Sequence, residues 1–118
     1  MVAKELSPFK YKERTETKQI IVCLKNLKGA NKQKLFRAAY RNGELDTGYH
    51  IILFNNGLFE NDREIRAVAG YNLPECENSI YVLADTLGHK KISDAQFHVL
   101  NELKAQYGVP IKFVSDEV

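Results

Sequence analysis

The chain has no tryptophan, one methionine, three prolines and two cysteines in 118 residues. Cys23 and Cys76 lie far apart and neither sits in a C-x-x-C or Cys/His spacing, which argues against a disulfide framework or a thiolate metal cluster and for two reduced thiols. Long apolar runs are also missing. The longest, Ile20 to Leu24 and His50 to Phe54, are much too short to span a bilayer, so no membrane partner is expected. The amino terminus carries charges where a secretory leader needs an apolar segment, so the chain reads as soluble and cytoplasmic. Neither sign of charge dominates: 17 basic against 15 acidic residues give a net +2, and direct nucleic-acid binding is not expected.

What is present is 44% hydrophobic residues in a length that suits one domain with one core. Residues 1–18 are polar and lack a period, and they read as an arm on the surface ahead of a domain over 19–118. Gln19 to Leu24 is a short β-branched run, which predicts a buried strand. From Asn31, a suitable N-cap, the residues Leu35, Phe36, Ala39 and Tyr40 recur at helical spacing until Asn42-Gly43 closes the helix. Tyr49 to Phe54 predicts a second strand. Asn55-Asn56-Gly57 supplies the turn of a hairpin that returns through Leu58 to Glu60. Arg63 to Cys76 has no period and is expected to cross the surface as a long loop. Asn78 to Ala84 predicts another strand. Ser93-x-x-Gln96 has the form of a capping box ahead of a helix whose face runs through Phe97, Leu100, Leu103, Lys104 and Tyr107 to Gly108. Ile111 to Val114 is the last strand. The pattern is α/β: one domain, a mixed central sheet of about five strands and two long flanking helices.

Several segments carry a family pattern. Tyr11 to Thr17, Ile20-Ile21-Val22, Gly43-Glu44-Leu45-Asp46-Thr47-Gly48-Tyr49-His50, Gly57-x-x-Glu60-x-x-Arg63 and Asn78-Ser79-Ile80 follow one another in order. Together they resemble the zinc-dependent N-acetylmuramoyl-L-alanine amidases, closest to the small lysozymes of short-tailed phages and more remotely the animal peptidoglycan recognition proteins. The third segment is similar to that family's G-W-x-D-x-G-Y-H, with Glu44 in place of the aromatic residue.

The resemblance implies a zinc held by three protein ligands that lowers the pKa of a bound water and polarises the scissile amide. It also implies where this chain departs from the family. The first ligand, a histidine after the first strand, is replaced by Cys23, and the second, in a segment ending H-H-E-V, by Ser115. The third would lie past Val118, as would the family's lysine. Tyr49 matches the catalytic tyrosine, either as a surviving transition-state donor or as a packing residue at the mouth of a vestigial groove with Tyr71 and Asn72. His50 is expected to satisfy a core hydrogen bond; His89 and His98 are expected at the surface. Glu60 has a natural partner in Arg63. No catalytic residue, metal or cofactor is expected.

A degenerate amidase implies a protein that works by binding. The resemblance points to an inhibitor or regulator that docks on phage RNA polymerase or on a host defence protein inside the infected cell. The basic residues Lys25, Lys28, Lys32, Lys34, Arg37 and Arg41 are the candidate contact surface. The alternatives are a non-catalytic muropeptide binder and, last, an active amidase.

Overall fold

Three short runs of β-branched and aliphatic residues form the buried centre of one sheet, and two more exposed strands close its edges. In the computed structural model, which describes residues 13–41, 47–70 and 73–115, the strands are β1 (Gln19–Lys25), β2 (Ile51–Leu53), β3 (Phe59–Asn61), β4 (Ser79–Asp85) and β5 (Ile111–Ser115). Their order across the sheet is β3-β2-β4-β1-β5. All neighbours are parallel except β2 and β3, the two arms of the hairpin. The sheet is therefore mixed. β4 is buried along its whole length, as a central parallel strand must be when both faces are covered.

Among the described residues two α-helices cover the sheet, α1 (Lys32–Arg41) and α2 (Asp94–Tyr107). Ile20, Val22, Leu53, Ile80, Val82 and Leu100 form a core with Val99, Leu103 and Tyr107 of α2. On the opposite face Ile21, Cys23, Leu27, Ile52, Tyr81 and Leu83 pack with Leu35 of α1 and with Tyr49 and Leu73. Period-two alternation along β1 thus divides its side chains between the two layers.

Three described helix ends follow the sequence signals. Asn31 caps α1 by accepting the Lys34 N–H at 2.9 Å. Ser93 and Gln96 form the reciprocal capping box on α2, and Gly108, at φ 65°, ends it in the left-handed conformation. Gln96 has a second task. Its side chain is fully buried and its amide donates to the carbonyls of Leu53 (3.0 Å) and Asp85 (2.9 Å), the last residues of β2 and β4. The helix face accordingly runs through Gln96, Val99, Leu100, Leu103 and Tyr107. Phe97, expected on that face, is half exposed instead, because the buried position one residue earlier is taken by Gln96.

Two further expectations are corrected. The loop from Arg63 to Cys76 does not simply cross the surface: Ala67 and Ala69 are buried at 5% and 1% exposure, since small side chains let this stretch settle against the sheet. The strand expected from Tyr49 begins only at Ile51. The residues expected to close α1, Asn42-Gly43, lie outside the described residues, as do 1–12, Gly43 to Asp46, Tyr71, Asn72 and 116–118. The side chains of Lys32, Phe36, Ala39 and Tyr40 lie outside them too.

Candidate functional site

The Gly48-Tyr49-His50 segment enters the sheet beside β4, and each of its residues is held by a backbone requirement. Gly48 has φ 86°, and a β-carbon there would stand 3.3 Å from the Gly70 Cα, whose own amide donates to the Gly48 carbonyl at 3.0 Å. Only glycine combines that dihedral with so close a neighbouring backbone. Just before it, the Thr47 amide donates to Asp62 Oδ2 at 3.1 Å, and the Thr47 hydroxyl donates to the same oxygen. Asp62 thereby fixes the start of the motif from the far arm of the hairpin, a role that residue spacing alone did not suggest.

His50 is fully buried. Its Nδ1 accepts the Tyr81 N–H at 2.9 Å, and its Nε2 lies 2.7 Å from the Ala67 carbonyl. An acceptor at Nδ1 leaves the proton on Nε2, which donates to Ala67. The imidazole therefore takes the place of a backbone acceptor in the ladder, and this is why β2 starts at Ile51, two residues after Tyr49. The Tyr49 and His50 carbonyls turn instead to Arg63 N (3.1 Å) and Asp62 N (2.9 Å).

Arg14 closes this region from the amino-terminal side. Its guanidinium donates to Thr17 Oγ1 (2.8 Å) and to the carbonyls of Ile65 (2.7 Å) and Ala67 (2.9 Å), with one nitrogen 3.5 Å from His50 Nε2. Burial lowers its pKa from the ordinary value. The neighbouring Glu13 bridges Ala67 across an antiparallel contact, so residues 13 and 14 of the polar arm are fastened to the 63–76 loop.

Tyr49 is half-buried and meets Tyr81 edge-on, with ring centroids 6.0 Å apart and planes at 65°. The Tyr81 hydroxyl donates to the Pro74 carbonyl at 2.6 Å. Burial, followed by the nearby Cys23, Glu75 and Cys76, pushes this phenol up to about 12. Cys23 is buried at 7% exposure in the same layer; Cys76 is partly buried, and neither forms a disulfide. Ser115 is exposed at the end of edge strand β5, where the register pairs it with Leu24 and sets Val114 beside Cys23. Cys23 and Ser115, the positions that the resemblance sets against zinc ligands, are thus one residue out of step on adjacent strands.

This donor set does not fit a catalytic zinc. A thiolate is a ligand, but a serine hydroxyl is not a usual one, and both His50 nitrogens face backbone groups. Among the described residues no group of three His, Cys, Asp or Glu side chains is placed to hold a metal. His89 and His98 are exposed, and His98 Nε2 lies 3.5 Å from Glu102. Glu60 is exposed on β3, while Arg63 donates to the Val68 carbonyl at 3.0 Å. No described helix is long and apolar enough to cross a membrane.

Of the basic residues, Lys25 and Lys28 are exposed before α1, and Lys34, Arg37 and Arg41 are exposed along it. On the other side of the sheet an apolar cleft, lined by Ile51, Leu53, Phe59, Ile65, Leu103 and Tyr107, lies between α2 and the hairpin. It shares no element with Cys23 or Ser115, and no sequence motif announced it.

The sequence matches no family model and no curated protein. The fold does have relatives among solved structures. LysCS, an endolysin N-acetylmuramoyl-L-alanine amidase from Clostridium intestinale, superposes with a TM-score of 0.72 at 14% identity, over 87% of this chain and 72% of that one. PGRP-Hd from Alvinella pompejana gives a TM-score of 0.67 at 17% identity, over 87% and 74%. Drosophila PGRP-SD, a peptidoglycan recognition protein, gives 0.65 at 13% identity, over 86% and 72%. The arrangement of five strands and two helices built up from this sequence is the amidase and peptidoglycan-recognition-protein fold.

Proposed function

We propose that the chain acts by binding and not by hydrolysis, as a non-catalytic relative of the amidases that restrains a protein target. The observation that carries this reading is the state of the motif's own chemistry. His50, its one imidazole, is fully buried with both ring nitrogens on backbone groups, and the thiol in the first ligand's place, Cys23, is sealed among core side chains. Gly48, Tyr49 and His50 then serve as scaffold. A scaffold that has kept its fold without a fitting ligand set is suited to presenting a surface. The resemblance to phage lysozymes suggests phage RNA polymerase or a host defence factor as the target.

A wall-clearing assay with the purified chain, run with added zinc and with metal analysis, tests the first half. No clearing and no stoichiometric zinc are expected; clearing with bound zinc would overturn the reading. Co-purification of tagged chain with the polymerase from infected cells, checked by inhibition of transcription in a reconstituted reaction, tests the second half.

The second reading is a non-catalytic muropeptide binder. It is supported by the likeness to PGRP-SD, whose own description is a recognition protein, and by the exposed part of Tyr49 beside the 70–76 loop. Titration with a soluble muropeptide separates the two, because the protein-binding reading expects no saturable signal.

A further inference from the structure

The charge of this chain is unevenly spread. Residues 25–41 hold six of the 17 basic residues and no acidic one, so the remainder carries eleven basic against 15 acidic residues, a net of −4. Near-neutrality overall therefore conceals a strongly basic segment on an otherwise acidic molecule.

Within that segment α1 orders the cations. Leu35 turns inward to the core layer that includes Tyr49 and Cys23. At 100° per residue, Lys34, Arg37 and Arg41 then fall within an arc of about 60° on the outward side, along about 10 Å of helix. All three are exposed, and none has a carboxylate within salt-bridge distance among the described residues. Arg41 suits the last turn, but the other placements work against the helix. Lys34 sits in the first turn, where the helix dipole disfavours a cation, and Arg37 and Arg41 are like charges at i,i+4. A face that serves only solubility would mix signs at these spacings. This one does not.

We infer that the Lys34, Arg37 and Arg41 stripe is a docking surface for an acidic face of a partner protein, one presenting carboxylates at matching helical intervals. The inference rests on the protein-binding reading above and names the chemistry of the contact. A bilayer fits less well: among the described side chains of this helix, the exposed ones, Gln33, Lys34, Arg37, Ala38 and Arg41, include no large apolar group to bury in lipid. A long polyanion also fits less well. The stripe spans only about three phosphates of one strand, and the net −4 outside residues 25–41 repels the rest. A partner protein with a local acidic patch meets neither objection, and such pairing speeds encounter and fixes orientation.

The test uses a helical peptide with glutamates at i, i+3 and i+7 on one face, and a second peptide of equal composition with the glutamates spread around the helix. Anisotropy at low ionic strength is expected to show saturable binding, at least about 5-fold tighter for the matched peptide and falling as salt is raised. The K34E/R37E/R41E variant should weaken it by at least about 30-fold, and K90E/K91E/K104E, which changes net charge equally at other exposed lysines, by less than about 3-fold. K34Q/R37Q/R41Q gives the same readout if the charge-reversed helix does not fold.

Equal losses in the two charge-reversed proteins, or equal binding of the two peptides, would sink the inference. Tighter binding to an oligothymidylate or to phosphatidylglycerol vesicles than to the matched peptide would replace the partner class, as would salt-reversible self-association of the chain alone. These outcomes are separate from wall clearing: loss of the peptide signal leaves the non-hydrolytic reading standing, and clearing with the peptide signal intact removes that reading alone.

Discussion

The Nδ1 atom of His50 accepts the backbone N–H of Tyr81 at 2.9 Å, so a side chain on one strand completes the hydrogen bonding of the next. The fully buried ring also donates from Nε2 to Ala67, which places a structural burden on a residue that reads as part of an enzyme motif.

Replacing His50 by phenylalanine keeps the ring volume but strands the buried Tyr81 N–H and leaves the Ala67 carbonyl with Arg14 as its donor. A loss of about 2–4 kcal/mol in unfolding free energy is expected, measured by urea denaturation. In the wild-type chain, ¹⁵N NMR should show the Nε2–H tautomer; an Nδ1–H ring would contradict the assigned bond.

Gln96 and Ser93 should separate cleanly although they belong to one capping box. Ser93→Ala removes a cap and should cost about 1 kcal/mol. Gln96→Leu leaves the Leu53 carbonyl without its buried donor, the Asp85 carbonyl with Asn55 alone and the Ser93 N–H without its cap, and should cost about 2–4 kcal/mol. Comparable losses from the two would mean that the sheet carbonyls find other donors.

Gly48→Ala probes the motif's first residue. A side chain at φ 86° facing Gly70 at 3.3 Å requires the backbone to move, and about 1–3 kcal/mol should be lost. Tyr49→Phe, by comparison, should leave unfolding free energy within about 1 kcal/mol of wild type while keeping the edge-on contact with Tyr81. Thermal melts of the two variants decide the matter.

Tyr81 sets an alkaline limit. Its phenol is raised from 10.0 to about 12 in the folded chain, so the folded state holds this proton more tightly than the unfolded one. The sign follows from linkage: the contribution is fully present below pH 10 and is lost as pH rises through about 12. Spectrophotometric titration should show one tyrosine ionising late, and Tyr81→Phe should abolish that phase. Survival of the late phase in the variant would assign it elsewhere.

Much of this architecture was legible because local chemistry and tertiary need coincide. The β-branched run of β1, the Ser93 box and Gly108 announce their elements directly. The hairpin was legible too, although its register depends on Gly57 at φ 91° and not on positive φ at Asn55 or Asn56. What stayed hidden depends on residues distant in sequence. The delayed start of β2 follows from a side-chain bond to β4, the burial of Ala67 and Ala69 from contact with the sheet, and the exposure of Phe97 from a glutamine reaching two strand ends. At the candidate site, order and spacing indicated the family fold, but they did not reveal that His50 is fully committed to backbone groups. That commitment joins residues 14, 50, 67 and 81, which no local window contains.

The clamp at the start of α2 has a further consequence for motion. Gln96 and Ser93 tie that end to β2, β4 and the hairpin turn through polar bonds, the Ser93 hydroxyl reaching the Asn55 carbonyl at 2.5 Å, while Tyr107 at the other end rests on apolar contact with the core. Local opening of the helix should therefore begin at its carboxyl end and travel toward Ser93. Native-state hydrogen exchange would then show amides near Tyr107 exchanging through small fluctuations, and those following Gln96 only when the sheet itself gives way.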